Sequence, residues 1–315
     1  MALVNSGIIS KDLVAVKAIR EDTYGVAQAT TSTDGVMLSN FNIKHINAEF
    51  GDSDIVTGTT GNSLQHLKYV MAECSFDIEL AASGVVKTPP ALGIFLTACG
   101  WDQVVKDTPA QVEYVLTDNL QNQDSVQFET HLDDRVIQML GCRGNSKIIM
   151  TEDERLLAQF TLIGIYTQPT TSSFARVDYS AYKRSMLVNP DNVKQCQIDT
   201  KDTVLHKLEF DCGMKAERIP AVNQNLVAHT DMAPTCSSSI RLPKLATWNI
   251  ENDVTSGKTS LIQWVLGETA GSIVEMDINQ QLTGMEVTDE TPRKANLTHN
   301  PIPDLSTTGT VIRFK

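Results

Sequence analysis

The sequence lacks most of the features that mark a membrane protein, a metal site or a nucleic-acid binder. No apolar run approaches the length a bilayer requires, and Met1 to Gly7 is too short and too soon interrupted by polar residues to hold a signal peptide's apolar core. The chain is therefore expected to be made, and to fold, in a cytosol. Cysteine is sparse and scattered: Cys74, Cys99, Cys142, Cys196, Cys212 and Cys236 include no C-x-x-C pair, and they read as small buried residues rather than a disulfide framework or zinc site. His45, His66, His131, His206, His229 and His299 show no H-E-x-x-H or other close metal spacing, and no G-x-S-x-G, G-x-G-x-x-G or calcium-loop pattern occurs. Basic residues are also short. Lys and Arg number 26 against 38 Asp and Glu, a net charge of -12, so the global field repels phosphate backbones and argues against a conventional DNA binder.

What is present is a chain of 315 residues, 41% hydrophobic and 20% charged, which can bury a full core and favours two domains at about 100 to 200 residues each. Its clearest pattern lies between Ser125 and Pro169. Val126, Phe128, Thr130 and Leu132 alternate with polar neighbours up to Asp133-Asp134, a second run covers Val136 to Leu140, and a third covers Leu156 to Tyr166 after the acidic turn Glu152-Asp153-Glu154. Period-two alternation between turn residues predicts antiparallel strands with one buried face. In the third run Phe160, Leu162 and Tyr166 oppose Leu157, Ile163 and Ile165, so part of it is expected to be covered on both faces.

Upstream, Leu13 to Ile19 fits a strand period slightly better than a helical one. Residues 28–61 are rich in Thr, Ser, Asp and Gly, with Val36 to Ile43 alone apolar enough for a strand, and so long an irregular stretch points to function or an interface. Glu73 to Ala82 alternates cleanly, with Phe76, Ile78 and Leu80 on one face. Pro90 to Cys99 is expected to be a short amphipathic helix closed by Gly100, with Trp101 folding back on its last turn.

Thr170 to Thr200 reads as an ordered connector. Beyond it Leu208, Phe210 and Cys212 alternate with charges, Ala246, Trp248 and Ile250 suggest a strand, and Ser256 to Leu266 suggests a helix ended by Gly267. Strands follow near Ser272 to Ile278 and at Thr310 to Phe314. Both halves then share a strand-helix-glycine-strand order, which suggests duplication of one small β domain. The expected layout is a first β domain at 1–169, a connector at 170–200 and a second β domain at 201–315.

Few motifs carry chemistry. Gly257-Lys258-Thr259 lies between an expected strand and helix, but Asn252 stands where a phosphate loop needs its first glycine, so the simpler reading is a helix start with Lys258 in solvent. Asp133-Asp134 and Glu152-Asp153-Glu154 read as solvated turns rather than acid–base pairs. Asn296-Leu297-Thr298 matches a glycosylation sequon without a secretory signal. No catalytic residue, metal or cofactor is expected.

Several segments do carry a family likeness. Asp22-Thr23-Tyr24-Gly25, the stretch Pro89-Pro90-Ala91-Leu92-Gly93-Ile94-Phe95-Leu96-Thr97-Ala98-Cys99-Gly100-Trp101, and Leu140-Gly141-Cys142-Arg143-Gly144-Asn145 leading to Phe160 through Pro169 resemble the major tail tube proteins of long-tailed, siphovirus-type bacteriophages. The likeness is strongest from Phe76 to Pro169. From Leu205 it thins to Leu208-Glu209-Phe210-Asp211-Cys212-Gly213 and Ile240-Arg241-Leu242-Pro243. The family's acidic-Gly hairpin is Asp133-Asp134 here, which leaves the turn type open.

The resemblance implies a mainly β protein: two tandem tail-tube-like antiparallel β-sandwich domains, each with one short flanking helix, whose inner strands join across subunits into a barrel. It implies a virion tail component, assembled in the host cytoplasm into stacked rings through which genome DNA passes without specific binding, with tape measure and tail terminator proteins as partners. If both halves are tube domains, trimers close a pseudo-sixfold ring; if only the first is, hexamers carrying a decoration domain are expected. Candidate interface residues are Val126, Phe128, Val136, Gln138, Leu162 and Tyr166 on strands, and Asp133, Asp134, Glu152 and Asp153 on turns. The stretch 28–61 is expected to reach the ring above or below. An alternative is a tail-tip module that binds a receptor or glycan, which needs an exposed aromatic platform, although Trp101, Trp248 and Trp264 all sit in core-like patterns.

Overall fold

A computed structural model describes residues 14–53, 64–117, 119–120, 124–132, 135–171, 176–222, 224–289, 291–302 and 309–315, and among these the chain is mainly β, with nineteen strands and two short helices. Strand β1 (Val14–Arg20) buries Val16 and Ala18. Strands β2 (Ser39–Gly51) and β3 (His66–Glu79) form a long hairpin, and β3 turns Cys74, Phe76 and Ile78 into the core. Helix α1 (Gly93–Ala98) follows, then β4 (Trp101–Lys106), β5 (Gln111–Leu116), β6 (Val126–Leu132), β7 (Arg135–Thr151), β8 (Leu157–Tyr166) and the short β9 (Thr170–Thr171).

Two expectations in this half need correction. Half of the described part of residues 28–61 is strand: β2 runs on to Gly51, past bulges that break its period, and residues 54–61 lie outside the described residues. The helix expected from Pro90 starts at Gly93, because the turn before it is closed by the Gly93 amide donating to the Pro90 carbonyl at 2.9 Å rather than by a side-chain cap. Its expected end holds, with Gly100 at φ +87°.

The second half contains β10 (Val193–Ile198), β11 (Lys201–Asp202), β12 (Leu205–Asp211), β13 (Met214–Pro220), β14 (Asn225–Met232), β15 (Thr235–Arg241), helix α2 (Ile250–Ser256), β16 (Thr259–Leu266), β17 (Val274–Val287), β18 (Lys294–Pro301) and β19 (Val311–Phe314). The expected strand at Ala246 to Glu251 is instead the approach to α2. The Asn249 side chain accepts from the Asn252 amide at 3.0 Å as an N-cap, and Gly257 at φ +64° closes the helix. The expected helix at Ser256 to Leu266 is strand β16, in which Ile262, Trp264 and Leu266 point inward at period two. The shared element order inferred from sequence therefore fails as written. The expected connector also contributes β10, which pairs with β16.

A different repeat is present in the backbone pairing. The first half pairs in the order β2-β3-β8-β7-β6-β1. The second half pairs in the order β12-β15-β18-β17-β16-β10. The long strands β7 and β17 hold the same place, and each is interrupted by a bulge, between Leu140 and Arg143 in one and between Leu282 and Gly284 in the other.

The halves are joined by backbone pairing. Beyond its bulge β7 takes β12, and the C-terminal β19 pairs with both β17 and β5. All strands except the separate β13–β14 hairpin thus belong to one hydrogen-bonded network. Inside it, Phe76 on β3 and Phe128 on β6 stack at 5.4 Å although their strands are not neighbours, so two stretches of sheet face each other across the core. Phe95 of α1 meets Phe76 at 5.1 Å and Phe160 at 5.5 Å. Burying each such ring contributes about 1.5–3 kcal/mol. Trp101 meets Phe210 at 6.1 Å and ties the first half's helix end to β12.

Candidate assembly surface

Five of the six cysteines are buried. Burial pushes the Cys236 thiol up to about 12 and the Cys212 thiol to about 11, away from reactive thiolate. Among the described residues no group of three or more His, Cys, Asp or Glu could hold a metal, and no helix is long and apolar enough to cross a membrane. Gly257-Lys258-Thr259 follows α2 instead of preceding a helix, so its amides have the wrong orientation for a phosphate cradle, and Lys258 Nζ sits 2.5 Å from Asp199. Trp101, Trp248 and Trp264 are buried, as their sequence patterns imply.

The residues singled out from sequence divide by burial. Val126, Phe128 and Leu162 are fully buried and Val136 nearly so, so any contact made through their strands uses backbone rather than these side chains. Tyr166 is half-buried against the core. Gln138 donates to Glu129 at 2.6 Å on the opposite face of the sheet, where Gln127 at 2.8 Å, Thr30 at 2.7 Å and His131 at 3.4 Å are further partners of that buried carboxylate. Glu152 pairs with His206 at 2.6 Å, while exposed Asp153, at φ +60°, donates its amide to the Val188 carbonyl at 2.8 Å. Asp133 and Asp134 lie outside the described residues.

That second face is polar across both halves and is laced by ion pairs. Lys147 on β7 meets Glu209 on β12 at 2.8 Å. Arg313 on β19 reaches Glu113 on β5 at 3.4 Å and, on β17, Glu275 at 2.7 Å and Asp277 at 2.5 Å. Lys147–Glu209 and Arg313–Glu113 cross from one half to the other, so they fix the register of the backbone seams that they span.

Sequence reasoning missed the open edges. Among the described residues β2 pairs only with β3, and β4 only with β5. On its β16 side β17 pairs no further than Gln281. These edges carry apolar side chains in solvent: Ile46 and Phe50 on β2, Val104 and Val105 on β4, and Val287 on β17. The β2–β3 hairpin also outruns the sheet, because β3 pairs with β8 only from Met71 onward, leaving His66 to Val70 and their β2 partners as a projecting arm that exposes Phe50 and Leu67. Unpaired edges and apolar tips are what self-association consumes. The available signal was Phe41, Ile43, Ile46 and Phe50 inside an otherwise polar stretch. No family model matches the chain, and no curated protein matches it.

Proposed function

We propose that this chain is the structural subunit of a phage tail tube, made of two tandem tail-tube-like β-sandwich domains, and that it self-assembles into stacked rings forming the conduit for genome DNA. The observation that carries this reading is the six-strand order present twice in one chain, with β7 of the first copy taking β12 of the second. A repeat already joined edge to edge inside the chain is a segment of a ring. Three chains then close a pseudo-sixfold homo-oligomer; a hexamer with an outer decoration domain is the variant in which the second half does not line the tube.

The polar face supports the same reading, since a net charge of -12 keeps DNA from sticking over a range of about 8 Å at physiological salt. The β2–β3 arm, with Phe50 and Leu67 exposed, is the element we assign to contact with the ring above or below. Tape measure and tail terminator proteins are the expected partners, and no catalytic role is proposed. Three buried tryptophans disfavour a glycan-binding tail-tip module.

The test is negative-stain electron microscopy of purified protein with mass measurement of the particles. Rings or tubes are expected, with three chains per ring. A monodisperse monomer under all conditions, including added tail partners, overturns the proposal.

A further inference from the structure

The pairing repeat allows residues of the two halves to be matched one by one. In the first half Ile148 on β7 faces Ala158 on β8, which faces Ile78 on β3. In the second half Val287 on β17 faces Ala295 on β18, which faces Ile240 on β15. Isoleucine-alanine-isoleucine and valine-alanine-isoleucine thus form the same row. Four residues before the last member of each row stand Cys74 and Cys236, whose partners are Ile43 on β2 and Phe210 on β12. Ile43 therefore corresponds to Phe210, Lys44 to Asp211, Val287 to Ile148, and Glu286 to Lys147.

Inside the chain these positions form a seam, with Phe210 opposite Ile148 and Asp211 opposite Lys147. Their counterparts lie on the two free edges. Beyond Gln281, on the side that β7 uses for β12, β17 has no strand partner among the described residues, and β2 has none on its outer edge. Burial follows the same division: Phe210 and Ile148 are 0% and 2% exposed, whereas Ile43 is only half-buried and Val287 is 45% exposed. Among the described residues Lys44 reaches only Asn47, at 2.8 Å, and Glu286 has no cation beside it.

We infer that β2 of one copy adds antiparallel to the free edge of β17 in the next, with Ile43 opposite Val287 and Lys44 opposite Glu286, repeating between chains the seam that β12 and β7 make within one. The charge pair is complementary in both seams with its polarity exchanged: aspartate on the added strand faces lysine inside the chain, and lysine on the added strand faces glutamate between chains. The inference rests on the self-assembly proposed above and names the two edges through which it proceeds. Each copy supplies one donor edge and one acceptor edge, so addition is head to tail and either closes a ring or runs on as a filament.

Directly opposed residues of an antiparallel pair have Cα atoms about 4.5–5.5 Å apart, within the span of a disulfide. Both positions are in solvent, so the variant K44C/E286C is expected to fold, which its melting curve checks. Oxidising it after assembly is expected to give covalent dimers and trimers on non-reducing gels, while K44C and E286C alone give neither. Charge reversal supplies a second readout. K44E or E286K is expected to raise the half-assembly concentration about tenfold or more by juxtaposing like charges, and K44E/E286K to restore it. Rings that form normally without the 44–286 cross-link and without sensitivity to K44E overturn the seam and leave the tube reading standing. Unmodified protein that forms no oligomer overturns the tube reading and the seam with it.

Discussion

Lys147 and Glu209 meet at 2.8 Å across the backbone seam between β7 and β12, over a hydrophobic pair, Ile148 and Phe210, that is almost wholly buried. The ion pair and the apolar pair make contributions of very different size. The two charged side chains are 31% and 24% exposed, so K147A is expected to cost at most about 1 kcal/mol, whereas F210A, which empties a packed site beside Trp101, is expected to cost about 3–5 kcal/mol. The Lys147 and Lys207 ammonium groups hold the Glu209 carboxyl below its ordinary 4.5, against the effect of burial. A depressed carboxylate stabilises the fold above its unfolded value and loses that stabilisation as pH falls through its folded value. Urea unfolding of K147A and the parent chain should therefore differ at pH 7 and converge in strong acid.

His229 and His299 give a dependence of the same sign in a higher pH window. Burial lowers each to about 4, with His229 bonded to the Gly144 carbonyl at 2.9 Å and His299 to Ser238 at 2.7 Å. Between the ordinary histidine value of 6.5 and about 4, the unfolded chain binds protons that the folded chain refuses. Stability is then complete above that window and falls through it, by up to about 3 kcal/mol per group. Denaturant midpoints at pH 7 and pH 4.5 should show the loss, and H299Q should flatten the slope while lowering stability at pH 7.

Two glycines should respond to alanine to very different degrees. A Cβ on Gly213, at φ +60°, would stand 2.0 Å from the Ala233 carbonyl oxygen, backbone that cannot move without opening the root of the β13–β14 hairpin. On Gly284 it would meet Thr298 at 3.5 Å, an ordinary contact. G213A is expected to lose about 2 kcal/mol or more, and G284A to change by less than about 1 kcal/mol in thermal or urea unfolding.

The sequence patterns that proved legible were those with unbroken period two, such as Phe76-Ile78-Leu80 and Leu208-Phe210-Cys212, where every second side chain is buried. Leu261, Ile262, Val265 and Leu266 misled because they fit a helical face as well as they fit a strand, and only the neighbours decide. Gly257 ends a helix capped by Asn249, and the β-branched, aromatic run after it pairs with β17. Strand β2 was half hidden because bulges between Lys44 and Asn47 and between Glu49 and Phe50 shift its phase. The repeat was invisible for a different reason: it resides in strand pairing between distant segments, and rows such as Ile148-Ala158-Ile78 join residues far apart in the chain.

The projecting arm gives the last prediction. Phe50 and Leu67 are directly paired across β2 and β3, about half exposed at 52% and 54%, on a stretch of hairpin that pairs with no third strand among the described residues. Replacing both with serine removes no core contact and should change the subunit's own stability by no more than about 0.5 kcal/mol each. If the arm joins one ring to the next, F50S/L67S should still form rings, because the edges of β2 near Ile43 and of β17 near Val287 are untouched, but those rings should fail to stack into tubes. Electron micrographs that show full-length tubes from the double variant would remove the arm from the ring-to-ring contact, and loss of single rings would place it in the lateral seam instead.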